Sequence, residues 1–299
     1  MKELLEFCDV SLSYHTKKNE IVAIKNMNFA VNEKEFVSIV GPSGCGKTTL
    51  LSIIAGLLKP SSGSVFLEGE KIKNKINTSV GYMFQRDNLF DWLNVFQNVC
   101  LGLSIKRIKN PQNIAKAKEL INKYGLSGAE KLYPSQLSGG MRQRVALIRT
   151  LATNPDILLL DEPFSAVDFQ TRLLVQDDIH KIIKSEQKTA LLVTHDISEA
   201  VSMSDRVIIL SNRPAFVKEN IKLDFNKNQT PFKRRSDSKF SVYFNQIWEV
   251  LKNEESKNSP LNWTQKISQK NKNKSCAYFT FTMGNFDFDF GDVGTFSKD

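Results

Sequence analysis

The sequence predicts an α/β fold with a core of parallel strands covered on both faces. Three short apolar runs, residues 35–40, 156–160 and 190–196, are continuous rather than alternating, which is typical of such buried strands. A glycine-rich segment follows the first run directly and leads into an apolar, helix-like stretch. A long helical region separates the first run from the second, and residues 206–210 form a candidate fourth strand.

The first third of the chain predicts further strands. Residues 4–14, 21–31 and 64–72 are separated by polar or glycine-containing turns. We therefore expect a set of short strands in addition to the parallel core.

The region from about residue 90 to residue 152 predicts a helical insertion between strands of the core. Within it, apolar residues recur at helical spacing and a glycine supplies a stop. These residues are Ile114, Ala117, Ile121, Tyr124 and Gly125.

Length and composition bound the class of protein. At 299 residues the chain can bury a substantial core, as one large domain or two smaller ones. No stretch reaches eighteen consecutive apolar residues, and the N-terminus MKELLEFCDV carries charges where a signal peptide is apolar. We therefore expect a cytosolic protein.

The net charge leaves several classes of partner open, whereas the cysteines are more informative. The formal net charge of +9 is compatible with nucleic acid, an anionic membrane surface or a lysine-rich composition alone. Four cysteines, Cys8, Cys45, Cys100 and Cys276, lie far apart without a CxxC pair. Their spacing argues against a zinc site and a disulfide framework, so reduced thiols are expected.

The segment GPSGCGKTTL, residues 41–50, fits the pattern G-x-x-x-x-G-K-[ST] of a P-loop. Its glycines let backbone amides turn inward around phosphates, its lysine neutralises the β and γ oxygens, and its first threonine can reach Mg²⁺. The following helix directs its positive end at the same anion. A glycine-rich turn without a ligand is the alternative. The predicted nucleotide-binding residues are Gly41, Pro42, Ser43, Gly44, Cys45, Gly46, Lys47, Thr48 and Thr49.

Residues 157–163, ILLLDEP, form an apolar strand that ends in two adjacent carboxylates. Neighbouring side chains at a strand end point to different sides, so one can serve a metal while the other faces an attacking water. We assign Asp161 to Mg²⁺ coordination, together with Thr48, and Glu162 to polarising or deprotonating the water. A solvated strand terminus is the alternative. A P-loop alone leaves kinases, GTPases and ATPases open, and this pair narrows the choice.

LSGGMRQRVAL, residues 137–147, predicts a second anion-binding surface. Ser138 is a candidate N-cap, and Gly139 and Gly140 leave the amide end of the helix bare. Such an end binds phosphate, yet the P-loop already supplies one phosphate site. Two anion sites for one nucleotide indicate two chains that face each other. An ordinary capped helix with a glycine entry is the alternative.

The order of these motifs resembles the ATP-binding cassette (ABC) ATPases, because LSGG is followed by RQR and, about twenty residues later, by LLLDEP. The resemblance implies an α/β P-loop NTPase core of the ABC type with an antiparallel β subdomain and an inserted α-helical subdomain. The implied domains are an ATPase domain at 3–230, with its helical subdomain at about 90–152, and a C-terminal helical extension at 231–255. Residues 256–299 do not resemble the family and are expected to be a disordered tail, for which a regulatory or docking role stays open.

Further site residues are implied by the resemblance. Gln85 in YMFQRDNLF resembles the Q-loop glutamine, which contacts Mg²⁺ and water and couples to the transmembrane partner. Asp168 in SAVD resembles the D-loop aspartate, which acts across the dimer. His195 in LLVTHD resembles the switch histidine that contacts the γ-phosphate. Tyr14 in VSLSYH resembles the aromatic that stacks on adenine, with simple packing at a strand end as the alternative.

His195 also has a setting that favours function. It ends an apolar strand beside Asp196, at the edge where the P-loop and the carboxylate pair emerge, and ligands of open α/β sheets collect at that edge. His15 and His180 have no such setting and are expected to be surface residues.

Within the ABC family, FQRDNLFDWLNVFQNV and DEPFSAVDFQTR are most similar to importers of nitrate, sulfonate, taurine and related small molecules. This similarity implies an ATP-dependent homodimer around two Mg-ATP, integral membrane permease subunits, indirectly a solute-binding protein, and a place at the cytoplasmic face of the cell membrane. That group usually has Leu-Pro-Trp where this chain has Phe90, Asp91 and Trp92, and leucine is commoner at Val167.

Two other classes fit part of the pattern. A soluble ABC-type ATPase acting on nucleic acid or ribosomes would use the basic charge. Such proteins usually carry a long coiled coil between P-loop and signature, or two cassettes in one chain, so no nucleic-acid partner is expected here. A P-loop nucleotide kinase would need a second acceptor site and gives no reason for LSGG or His195.

Overall fold

The structure is a computed structural model that describes residues 2–15, 20–73, 76–165, 167–226 and 228–258. The predicted tail therefore lies outside the described residues from position 259 onward. None of the helices in the described ranges is both long and apolar enough to cross a membrane.

A four-stranded antiparallel sheet forms from the N-terminal part of the chain. Its strands are β1 (Glu3–His15), β2 (Glu20–Asn32), β4 (Ser62–Leu67) and β5 (Glu70–Lys71), in the order β2-β1-β4-β5. Phe7 and Phe29 are paired across β1 and β2, and their rings stack at 4.5 Å between centroids. This sheet is the antiparallel part of the predicted fold class.

A second sheet of six strands carries the parallel core, in the order β10-β9-β3-β8-β7-β6. Only β10, at one edge, is antiparallel to its neighbour. The predicted apolar runs are β3, β7 and β8, whose residues are all buried, and residues 206–210 are β9. The two edge strands were not predicted, because β6 is short and glycine-containing and β10 is mostly exposed. The ranges are β3 (Phe36–Val40), β6 (Val80–Met83), β7 (Ile157–Asp161), β8 (Thr189–Val193), β9 (Arg206–Leu210) and β10 (Val217–Lys222).

Eight α-helices occur in the described residues, and a 3₁₀ turn spans Pro134–Gln136. Several of them begin at a side chain that accepts a hydrogen bond from the first turn, as N-caps do; Asn94, Asn110 and Ser138 are examples. The glycine stop is also observed, since the helix ends at Lys123 and Gly125 has a φ of 72°. The ranges are α1 (Lys47–Ile54), α2 (Val95–Ile105), α3 (Pro111–Lys123), α4 (Gly139–Ala152), α5 (Phe169–Ser185), α6 (Ile197–Met203), α7 (Pro231–Arg235) and α8 (Ser238–Asn258).

The parallel sheet is buried on both faces because alternate residues of each strand enter different apolar clusters. Leu158 and Leu160 of β7 pack with the helices α2, α3 and α4, whereas Leu159 packs with α1 and the antiparallel sheet. A third cluster joins β9 and β10 to α8, where Ile247 is fully buried. The continuous apolar runs of the sequence follow from this arrangement.

His180 corrects an expectation, because it is buried rather than a surface residue. Its side chain lies in α5 against Phe36, with 5.8 Å between ring centroids, and only 6% of the residue is exposed. Burial, followed by the positive charges of Arg234 and Lys184, lowers the pKa of His180 from 6.5 to about 3. The imidazole is therefore neutral at physiological pH. His15 is exposed, as expected.

Candidate nucleotide site

The P-loop connects β3, which ends at Val40, to α1, which begins at Lys47. Gly46 precedes the helix with a φ of 126°, a conformation that strains any residue with a side chain. Because no side chain caps this helix, the amides of its first turn remain available to an anion. The backbone of this loop is therefore compatible with the predicted binding of phosphate.

Lys47 lies inside the loop rather than extending into solvent. The residue is 7% exposed, and its Nζ donates to the carbonyl oxygens of Gly41 at 2.8 Å and Pro42 at 3.0 Å. A buried ammonium group needs such partners. The P-loop thus encloses the ammonium group of Lys47.

Asp161 ends β7 and is 9% exposed. Its Oδ1 accepts from the Thr48 hydroxyl at 3.4 Å, and its Oδ2 accepts from the Tyr82 hydroxyl at 2.9 Å. Burial raises the pKa of Asp161, and the hydrogen bond from Tyr82 opposes that change. Sequence reasoning missed Tyr82, since it lies in the unpredicted strand β6.

Glu162 and His195 form a pair at the ends of neighbouring strands. His195 Nδ1 lies 3.1 Å from Glu162 Oε2, with 65% of the histidine side chain and 24% of the glutamate side chain exposed. Glu162 has a φ of 47°, which is uncommon for a residue other than glycine, and its N–H donates to Val193 of β8 at 2.9 Å. The backbone thereby turns the Glu162 side chain toward the turn after β8.

A cleft of about 640 Å³ unites the P-loop with this pair. Four of its residues come from outside the predicted motifs: Ile197, Arg213, Trp248 and Leu251. The Arg213 guanidinium donates to the Gly44 carbonyl oxygen of the P-loop. No signal in the sequence places α8 beside the P-loop, since this contact depends on how the helix packs on β9 and β10. The lining residues are Gly41, Pro42, Ser43, Gly44, Gly46, Lys47, Thr48, Thr49, Glu162, His195, Ile197, Arg213, Trp248 and Leu251.

The predicted residues Tyr14 and Gln85 are not among the residues that line this cleft. Tyr14 is 40% exposed, and its hydroxyl is 3.1 Å from Oγ1 of Thr49, next to the P-loop. Gln85 is exposed and follows β6, which pairs with β7 in parallel, so it leaves the sheet at the same edge as Asp161.

The signature residues and Asp168 are not brought to the cleft of their own chain. Ser138 is exposed, and its Oγ accepts the Met141 N–H at 3.3 Å as the N-cap of α4. Gly139 is also exposed, whereas Gly140 is buried. Asp168 caps α5 by accepting the Thr171 N–H at 3.0 Å, and this hydrogen bond lowers the pKa of Asp168. Each cap therefore satisfies a backbone N–H in the first turn of its own helix.

The donor atoms beside the P-loop suit a magnesium ion. A hydroxyl and a carboxylate, from Thr48 and Asp161, are hard oxygen ligands of the kind that Mg²⁺ prefers. Among the described residues no cluster of three or more His, Cys, Asp or Glu could hold a metal by itself. This donor set fits an ion that takes its other ligands from water and nucleotide phosphates.

A P-loop after the central strand of a parallel sheet, with two carboxylates at the end of a nearby strand, defines a P-loop nucleotide hydrolase. The profile of the ABC transporter family matches residues 24–165. The ABC transporter ATP-binding protein YtlC of Bacillus subtilis is 46% identical over 243 residues, 81% of this chain and 93% of the relative. The aliphatic sulfonates import ATP-binding protein SsuB of Bacillus cereus is 39% identical over 232 residues, 77% of this chain and 88% of the relative.

A solved structure leads to the same family. The dimeric, post-hydrolysis state of the ATP-binding cassette MJ0796, bound to ADP and Pi, superposes with a TM-score of 0.63 and 34% sequence identity. It covers 75% of this chain and 100% of its own length. The chain belongs to the ABC transporter family as an ATP-binding protein, and it is an ATPase. The predicted family and fold class are confirmed.

Proposed function

We propose that this chain is the ATPase subunit of an ABC importer and that two copies enclose two Mg-ATP molecules. The observation that supports it best is the separation of two anion-binding ends in one chain. The P-loop, Glu162 and His195 line one cleft, whereas Ser138 and Gly139 are exposed at the start of α4. A second copy that presents this end to the nucleotide completes both sites.

Gly139 gives this proposal independent support. A Cβ atom at Gly139 would meet no atom within 4 Å, and its φ is not in the left-handed region. The chain therefore needs no glycine there for its own folding, although glycine weakens a helix relative to alanine. A close approach by a nucleotide held in the other copy accounts for the missing side chain.

The predicted site residues, inside the cleft and around it, have separate roles in hydrolysis. The P-loop amides and Lys47 hold the phosphates, while Tyr14 stacks on adenine. Thr48, Asp161 and Gln85 would hold Mg²⁺, which would neutralise phosphate charge. Glu162 orients the attacking water and accepts its proton. His195 holds Glu162 in place and contacts the γ-phosphate, and Asp168 acts across the dimer.

The transport partner is a membrane permease, which would place the chain at the cytoplasmic face of the membrane. Phe90 and Trp92, which follow the Q-loop, are 37% and 72% exposed and contact each other edge to face at 5.0 Å. An exposed aromatic pair is suited to a protein partner. The solute is a small molecule of the nitrate, sulfonate or taurine kind, as in the names of the relatives SsuB, NrtD and TauB, and a separate binding protein delivers it.

The short helices of the helical insertion favour a role in transport over a role on nucleic acid. The described helices between the P-loop and the signature, α2 and α3, have 11 and 13 residues. At 1.5 Å per residue, neither approaches the length of a coiled-coil arm.

The dimer is tested with E162Q, which keeps the ATP site but removes the base. We expect E162Q to lose hydrolysis by about 100-fold or more and to form a dimer in Mg-ATP, measured by light scattering. The control K47A should stay monomeric, because it lacks the phosphate-binding ammonium. Wild-type turnover in E162Q, or a monomer in saturating Mg-ATP, would refute the proposal.

Coupling is tested by reconstitution with a permease encoded beside the gene. In F90A/W92A we expect the ATPase activity of the isolated subunit to be retained, since neither residue lines the cleft. Uptake of a labelled alkanesulfonate into vesicles should be lost. Uptake at the wild-type rate would show that this pair does not contact the permease.

A further inference from the structure

The turn that carries His195 is held from behind by a buried carboxylate. Glu199, in α6, is 4% exposed. Its Oε2 accepts from the Thr194 hydroxyl at 2.7 Å. The same Thr194 oxygen accepts the N–H of Asp196 at 3.0 Å. The Thr194 hydroxyl therefore joins the carboxylate to the backbone on both sides of His195.

The other carboxylate oxygen extends the chain of hydrogen bonds. Oε1 of Glu199 accepts from Nε2 of Gln176 at 3.1 Å, and Gln176 is 1% exposed. Oε1 of Gln176 accepts from the Arg235 guanidinium at 2.9 Å. Arg235 belongs to α7, so four side chains connect the C-terminal segment to the turn after β8.

This row of hydrogen-bonded side chains lies next to Glu162 and His195. A small cavity of about 100 Å³ is lined by Glu162 and His195 and also by Thr194 and Glu199. Buried polar groups that are hydrogen-bonded to one another favour a single arrangement, because breaking one of these bonds leaves a buried group without that partner. The arrangement favoured here is that of the turn with His195.

We propose that Glu199 is a positioning residue for ATP hydrolysis, and that it orients His195 through Thr194 while Gln176 and Arg235 hold its carboxylate in place. The inference rests on the proposed role of His195. By this inference Arg235 of α7 helps to position His195, and three hydrogen bonds connect Arg235 to Thr194 of the turn.

The charges around Glu199 give the proposal a measurable consequence. Burial, and to a lesser extent the nearby Asp196, raise the pKa of Glu199 from 4.5 to about 7, against the hydrogen bond from Thr194 and the charges of Arg172 and His195. Arg235 approaches from α7 and is itself paired with Gln176. Protonation turns one of the two accepting oxygens of Glu199 into a donor, so the hydrogen bond from Thr194 or the one from Gln176 is lost and the turn loosens.

The first test compares T194V with T194S, since valine removes the hydroxyl and serine keeps it. We expect the kcat of ATP hydrolysis in T194V to fall about 10- to 100-fold, as expected for a misplaced reacting group. The Kd for a non-hydrolysed ATP analogue, measured by calorimetry, should change less than about twofold. T194S should recover most of the lost rate. Equal rates in T194V and wild type would overturn the proposal.

The second test compares R235M with K233M, which removes an exposed charge from the same short helix. R235M should lower kcat with little change in Kd, whereas K233M should match the wild type. Thermal unfolding is recorded for both, and a loss of kcat in proportion to the unfolded fraction would overturn a positioning role for Arg235.

The third test uses pH and separates this inference from the proposed function. The ratio of kcat in wild type to kcat in E199Q should be largest at pH 8 and approach 1 at pH 6, where Glu199 is protonated. A ratio independent of pH overturns the inference. If H195A hydrolyses ATP at the wild-type rate, the proposed role of His195 fails. If H195A is inactive and E199Q has wild-type kcat at pH 8, only the inference fails.

Discussion

Nδ1 of His195 lies 3.1 Å from Oε2 of Glu162, and the two residues follow neighbouring parallel strands. Each is brought there by backbone geometry as well as by its side chain. Glu162 has a φ of 47°, and its N–H donates to Val193, the residue that ends β8. The pair is therefore built into the edge of the sheet.

The unusual φ at Glu162 predicts that a glutamate at this position lowers the stability of the fold while it supports ATP hydrolysis. A left-handed conformation costs a residue other than glycine or asparagine about 1–2 kcal/mol. We expect E162N to keep or raise the melting temperature, because asparagine tolerates this conformation, and to lower ATP turnover at least about 100-fold. Calorimetric melting and a phosphate-release assay measure the two effects. A melting temperature that drops by more than about 5 °C would contradict this account.

The two glycines of the signature predict different outcomes for the same change. G139A places a Cβ in open space, so we expect normal folding and unchanged melting, with ATP hydrolysis reduced at least about tenfold. G140A places a Cβ 2.9 Å from Cγ2 of Val175, so we expect a loss of about 1–3 kcal/mol in the free energy of unfolding. Normal hydrolysis in G139A would count against use of the signature by a second copy.

Buried His180 predicts sensitivity to acid. Its pKa is about 3 in the folded chain and 6.5 when free, so between these values the unfolded state binds a proton that the folded state does not. The free energy of unfolding therefore falls as the pH drops below about 6.5, by at most about 1.4 kcal/mol per pH unit.

Urea unfolding of wild type and H180F at pH 7.5 and pH 5.5 measures this effect. We expect the wild type to lose about 1 kcal/mol more than H180F between the two pH values. H15Q, which changes an exposed histidine, serves as the control and should behave as wild type. Equal losses in H180F and wild type would show that His180 does not carry the effect.

The position of Trp248 predicts an optical signal for nucleotide binding. Its side chain lines the cleft and is 48% exposed, so bound ATP changes the surroundings of the indole. We expect Mg-ATP to change the tryptophan emission of wild type and of W92F, and to leave that of W248F constant. The midpoint should agree with the calorimetric Kd. An unchanged signal in W92F and wild type would place the nucleotide away from α8.

Several parts of this protein followed from the sequence alone. The P-loop, the pair Asp161 and Glu162, and the apolar run that leads to His195 are short motifs whose chemistry depends on consecutive residues. The buried parallel strands were recognisable for the same reason, since their continuous apolar runs are local. Hence the fold class and the family were predictable from the sequence. The family profile, the sequence relatives and the solved structure of MJ0796 confirmed them.

Other features depended partly or wholly on tertiary packing. His180 shares one face of α5 with Ile179 and Ile183, a spacing that could have signalled burial once α5 was recognised as a helix. Trp248 reaches the cleft because α8 packs on β9 and β10, and Glu199 meets Gln176 because α5 and α6 pack together. Such contacts join residues far apart in the chain. Their partners are set by which faces the folded sheet covers, and no local pattern in the sequence encodes that choice.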